Sequence, residues 1–168
     1  MQLFLYEASI PVLIAGLRHT ASFLERGRAH ADQAGVDHAA MLGARLAPDM
    51  MSLTEQVQRA SDTSKGAAVR VGGVENVPMP DTETSFAELQ QRIAATIAVL
   101  EAVPADAVNA HVDAEVILRT PGGERRFTGR SYILEFVLPN FFFHVTTAYD
   151  LLRHQGVPLG KRHYLGWE

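Results

Sequence analysis

The chain has 168 residues, no cysteine and a net charge of −4, with 47% apolar and 20% charged residues. These values fit one folded domain over 1–168 with a full hydrophobic core, and they exclude disorder, disulfide staples, thiolate metal sites and thiol nucleophiles. The acidic balance exerts no general pull on nucleic acid, no apolar run reaches the roughly 18–20 residues of a membrane span, and Glu7 stands in an N-terminal stretch without a basic region, so the chain reads as cytoplasmic.

Ile10, Leu13, Leu17, Ala21 and Leu24 recur in steps of three and four, which is one face of a helix. Ser9 is its expected N-cap with Pro11 in the first turn, an earlier start near Leu3 being the alternative. The stretch RGRAHADQAG predicts fraying before Gly35 stops the helix.

A second helix is expected to follow Pro48. Met50, Leu53, Val57, Ala60, Ser64, Ala67 and Val71 form its inward repeat, with Glu55, Gln58, Arg59 and Asp62 off that face. The small residues Ala60, Ser64 and Ala67 predict close approach of a neighbouring helix, and Gly72-Gly73 ends the segment. The stretch VENVPMPDTET reads as a loop crossing the molecule.

Ser85-Phe86-Ala87-Glu88 has the form of a capping box, and Phe86, Leu89, Ile93, Ile97 and Leu100 mark a third amphipathic helix closed by Pro104. Residues 111–128 partly alternate around Thr120-Pro121-Gly122-Gly123, which predicts a short hairpin that must pack on the helices. The last helix is expected over 131–155, with Ile133, Val137, Phe141, Val145, Ala148 and Leu152 as its apolar face and Gly156 as its cap. Pro139 should kink it by removing one ladder bond and crowding the carbonyl of Glu135. The tail VPLGKRHYLGWE is too polar and glycine-broken for another long helix. The fold class predicted is all-α: four helices in a bundle, a long connection between the second and third, and a hairpin inserted before the fourth.

Chemical interest concentrates in the last helix. Asn140, His144 and Thr147 stand at i, i+4 and i+7, on one stripe beside the apolar face, and Tyr149 follows. Polar side chains turned into so apolar a helix need partners. His144 then has two readings: a metal ligand or general base lining a cavity, or a core histidine bonded to a carboxylate or hydroxyl of the second or third helix. One histidine does not make a metal site.

The other histidines (His19, His30, His38, His111, His154 and His163) fall on polar faces, helix ends, loops or the tail. His154 is turned about 80° from His144 around a helix of ~3.6 residues per turn, too far to share an ion. Asp49 suits the positive end of the second helix, or, turned inward, a place as second metal ligand or orienter of His144. Asp62 with Arg59 or Lys65 reads as a surface ion pair of little worth, with Lys65 as an alternative anion contact. The run GVPLGKR lacks the spacing of a phosphate loop. Arg119, Arg125, Arg126 and Arg130 gather near the hairpin but are diluted by Asp113, Glu115 and Glu124, which reads as a solvated hairpin and not as a nucleic-acid site.

LYEASIPVLIAGLRHTASFL, LAPDMMSLTEQVQRASDTSKGAAVRVGG and the phrase Asn140-Phe141-Phe142-Phe143-His144-Val145-Thr146-Thr147-Ala148-Tyr149 followed by LLRHQGVPLGKRHYLG resemble an uncharacterised bacterial family that is similar to the DinB/YfiT-like superfamily. The resemblance covers nearly the whole chain and implies a four-helix bundle that forms dimers. The wider superfamily carries a divalent-metal site of three histidines, one from helix 2 and a pair four residues apart on helix 4, used in some members for thiol-dependent transferase or isomerase chemistry. Here His144 matches one of the pair, but its neighbours at four residues are Asn140 and Ala148, and the segment 48–71 has no histidine.

Three readings follow. The first is a small-molecule binder at Asn140, His144, Thr147 and Tyr149 that has lost the metal triad. The second is a metal-dependent transferase or hydrolase with a divalent ion at a variant site of His144 and Asp49. The third is a structural homodimer covering Phe142, Phe143 or Trp167.

Overall fold

The computed structural model describes residues 4–120 and 122–167; the expected helix start near Leu3 and the Pro121 corner of the hairpin turn lie outside them. The molecule is mostly helical with one small antiparallel hairpin. In chain order the elements are α1 (Ile10–Ala34), α2 (His38–Gly43), α3 (Leu53–Arg70), α4 (Phe86–Glu101), α5 (Ala105–Ala110), β1 (Glu115–Thr120), β2 (Gly123–Thr128), α6 (Gly129–Ser131), a π-helical turn (Tyr132–Val137), α7 (Leu138–His154) and α8 (Lys161–Tyr164). No helix among the described residues is long and apolar enough to cross a membrane.

The long helices pack in a cycle, α1 on α4, α4 on α3, α3 on α7 and α7 on α1. Their shared interior is built from the residues the periodicity selected, including Leu13, Leu17, Val57, Ile93, Phe141 and Leu152. Contact between α1 and α7 is close: a Cβ on Gly16 would sit 2.5 Å from the Phe141 ring, so only glycine admits that aromatic.

Three boundaries differ from expectation. Helix α1 does not fray through RGRAHADQA but runs to Ala34, where Gly35 caps it at φ 66°. The buried stripe continues through Gly27 and Ala31, and Arg28 bridges Glu25 and Asp32 one turn to either side. Ser9 precedes the helix without capping it, since its hydroxyl donates backward to the carbonyl oxygens of Leu5 and Tyr6.

The second long helix begins at Leu53, not directly after Pro48. Ser52 and Glu55 form a reciprocal capping box there, so Glu55 occupies the acidic first-turn position expected of Asp49. The intervening chain makes α2, capped by the Asp37 carboxylate on the Ala40 N–H and burying Met41 and Leu42. Likewise Pro104 both ends one helix and opens α5. The capping box at Ser85 and Glu88 forms as expected.

Proline 139 has a specific consequence. Just ahead of it the backbone widens into a π-helical turn, with the Leu138 N–H bonded to the Ile133 carbonyl five residues back. Pro139 then stands in the first turn of α7, where its missing N–H costs no ladder bond. The hairpin pairs Glu115 with Thr128 through Thr120 with Gly123, buries Val116 and Leu118, and packs Phe127 edge-on against Tyr132 at 5.7 Å.

Candidate functional site

Helices α3 and α7 bring two polar stripes face to face. The Asn140 amide donates to the Thr63 hydroxyl at 2.7 Å, and His144 Nδ1 meets Gln56 Oε1 at 2.7 Å. Gln56 Nε2 donates to the Met51 carbonyl, which leaves its oxygen facing the imidazole. Nδ1 must therefore carry the proton, and Nε2 keeps its lone pair. Nε2 has no hydrogen-bond partner among the described residues, although His144 is only 8% exposed. Burial, reinforced by the nearby Arg59 guanidinium, lowers the imidazole pKa to about 4, so the ring is neutral at physiological pH. The exposed Phe143 ring stands edge-on beside it at 5.3 Å.

The other expected site residues fall differently. Thr147 is buried on the same stripe, its hydroxyl donating back to the Phe143 carbonyl at 2.7 Å. Tyr149 lies roughly 140° around the helix from His144 at ~3.6 residues per turn, and packs edge-on against Phe23 and Tyr164 at 5.7 Å each. Asp49 is exposed in the turn before α3, and the partner of His144 Nδ1 is Gln56, neither a carboxylate nor a hydroxyl. At the positions where a three-histidine centre is implied, the chain presents one imidazole and amides. That donor set does not fit a divalent transition metal, which favours imidazole, thiolate and carboxylate. Among the described residues no three His, Cys, Asp or Glu side chains are placed to share an ion.

A second polar cluster escaped the sequence reading. Arg92 of α4 is buried, its side chain 2% exposed, and its guanidinium makes four hydrogen bonds and a further ion pair. Nε reaches the Ser61 hydroxyl at 3.2 Å, Nη1 reaches Glu83 at 2.9 Å and the Pro80 carbonyl at 3.2 Å, and Nη2 reaches Asp62 at 2.8 Å and Asp81 at 3.0 Å. Asp62 is thus not an isolated surface pair: it joins α3 to Arg92, Arg59 and, at 4.0 Å, Lys65. Gln58, expected off the buried face, is buried here and donates to Glu83 at 2.8 Å. Burial alone would raise the Glu83 carboxyl; the hydrogen bonds from Arg92 and Gln58 outweigh it and hold the group below the usual carboxylate range. The cluster straps the crossing loop onto α3 and α4.

Both missed partners had a signal. Arg92 sits between Leu89 and Ile93 with Thr96 one turn on, and an arginine on a buried stripe demands acids, which the loop supplies at Asp81 and Glu83. Gln56 precedes Thr63 by two turns on the α3 face that meets α7. Clefts of about 440, 320 and 290 Å³ lie elsewhere, at the N-terminal turn, the crossing loop and the Lys65–Arg70 edge of α3; His144 lines none of them.

A family model described as "Domain of unknown function (DUF1993)" matches residues 5–165. The crystal structure of a DinB family member protein from Shewanella denitrificans is similar at 36% identity, covering 96% of this chain and 92% of that one with a TM-score of 0.88. A comparison with curated proteins finds no match. Because that family model spans all of α1 through α8, the chain belongs to the DUF1993 family, an uncharacterised DinB-like domain family.

Proposed function

We propose that the chain is one DinB/YfiT-like four-helix-bundle domain, cytoplasmic, that binds a small molecule at the α3–α7 seam around His144, with the three-histidine metal centre lost. The observation that carries this is the imidazole itself. It is neutral, its Nδ1–H is held by Gln56, and its Nε2 is an acceptor without a partner among the described residues, beside the exposed Phe143. Such an edge accepts a hydrogen bond from a hydroxyl or N–H of a ligand whose apolar part lies on the ring. Asn140 and Thr147 flank it on the same stripe.

The test is ligand screening by thermal shift on tag-free protein and on His144→Ala, with elemental analysis of both. Hits lost in His144→Ala with no bound metal support the proposal. Hits that persist unchanged in the variant would sink it.

The chain is further proposed to be a homodimer, because Phe143 is 56% and Trp167 66% exposed; a monomer by light scattering at all concentrations would remove that part.

A further inference from the structure

The largest of the clefts above does not include His144 and takes its lining from three separate stretches of chain. Phe4, Leu5 and Ala8 of the N-terminal turn form one wall; Val112 and Leu134 form the other. Leu134 belongs to the π-helical turn, is 47% exposed and presents its isobutyl group to the cleft. Two polar residues complete the lining, Asn109 and Arg130.

Their bonding states are informative. Asn109 Oδ1 accepts from the Tyr6 N–H at 3.1 Å, which fixes the amide and leaves its NH₂ as a donor. Arg130 is anchored through its backbone, its N–H bonded to the Val112 carbonyl at 2.8 Å. Its guanidinium makes no hydrogen bond or ion pair among the described residues, as is true of Arg125 on the hairpin, whereas Arg119 is paired with Glu124 and Arg126 with Glu115 and Glu124. Arg130 is also the only charged residue in the lining. A volume of about 440 Å³ falls inside the ~300–1,000 Å³ typical of small-molecule sites.

We infer that this cleft is a binding site for a monocarboxylate with an apolar body, its carboxylate on the Arg130 guanidinium and the Asn109 NH₂ and its hydrocarbon between Phe4, Val112 and Leu134. The charge requires an anion, the planar guanidinium fork suits a carboxylate, and the apolar walls require that the rest of the ligand be hydrocarbon. The site is independent of the His144 seam, and the two readings fail separately.

The test is calorimetric titration of the full chain, tagged only at its C-terminus, with octanoate and with its uncharged isostere octanamide. Saturable octanoate binding, with octanamide weaker by about tenfold or more, is the expected result for a charge-assisted contact. Arg130→Gln should weaken octanoate by a similar factor and leave octanamide unchanged, while Arg130→Lys recovers part of the loss. Arg130 is exposed, so these variants test the contact without disturbing the core. Equal affinity for octanoate and octanamide, or for octanoate in wild type and Arg130→Gln, would show an apolar cleft that reads no charge and would overturn the inference, as would the absence of saturable binding up to millimolar octanoate.

Discussion

Two polar clusters are built into the α3 surface, and they are finished to different degrees. Around Arg92 four hydrogen bonds reach Ser61, the Pro80 carbonyl, Glu83 and Asp62, and Nη2 also pairs with Asp81 at 3.0 Å. Around His144 one nitrogen is held by Gln56 and the other has no hydrogen-bond partner among the described residues. Arg59 links the two, its Nη atoms on Asp62 and Asp81 and its buried Nε unpartnered, while its charge helps to keep His144 neutral. A closely paired buried cluster holds the fold, because a ligand at Arg92 would have to displace bonds already made. An unsaturated one keeps a valence for something else. On the proposed function, the α3–α4 strap serves stability and the α3–α7 seam serves binding.

The largest expected effect comes from breaking the strap. Arg92→Met leaves Glu83 without its cation, Asp81 dependent on Arg59, and Asp62 on Arg59 and the more distant Lys65, and should cost about 3–5 kcal/mol by urea denaturation. A loss below about 1 kcal/mol would mean that the cluster is as dispensable as an exposed pair.

The next is a pH effect at the seam. His144 has a folded pKa of about 4 against an ordinary 6.5, so the unfolded chain binds the extra proton first as pH falls. Its contribution is complete above pH 6.5 and is lost between about pH 6.5 and 4, by roughly 3–4 kcal/mol at ~1.4 kcal/mol per unit. In His144→Gln that portion of the pH profile should flatten; an unchanged profile would show that His144 is hydrated and not held neutral. Glu83 acts lower on the scale. Its depressed carboxyl adds stability that persists above its ordinary value near 4.5 and disappears as acid protonates it, so Glu83→Gln should flatten only that lower portion.

A smaller effect is expected from Gln56→Leu, which orphans the Nδ1–H of His144 and should cost about 1–3 kcal/mol. It should also free the ring to change tautomer, visible in the ¹⁵N shifts of a histidine-labelled sample; retention of the Nδ1–H form in Gln56→Leu would mean that another group sets it. The smallest is Asn140→Ala, which removes one half-buried hydrogen bond to Thr63 and should cost about 0.5–1.5 kcal/mol in the same assay.

Much of the helical framework was legible from local rules. Apolar spacing selected the buried faces of α1, α3, α4 and α7, Gly35 and the Ser85–Glu88 box marked ends, and the change of period marked the hairpin. These features are readable because they depend on residues within one or two turns of each other. The same locality explains the errors. Composition alone suggested that α1 would fray at RGRAHADQA, but its continuing buried stripe and the Arg28 bridges hold it. Proline 139 was recognised as disruptive, yet how the backbone would absorb it, by a π-helical turn and not by a bare kink, depended on packing around Tyr132 and Ile133.

The residues of the candidate site divide along the same line. The sequence by itself determined that Asn140, His144 and Thr147 share a stripe on a buried helix, since 3.6-residue periodicity places them there whatever surrounds them. Only the tertiary structure decided that the imidazole would meet an amide 88 residues away, that Asp49 would stay in solvent, and that Arg92 would gather acids from α3 and the crossing loop. Helical faces follow from backbone geometry, which is local. The protonation state and free valence of a buried side chain follow from what lies across the interface, and that is set by which helices pack together and in what register.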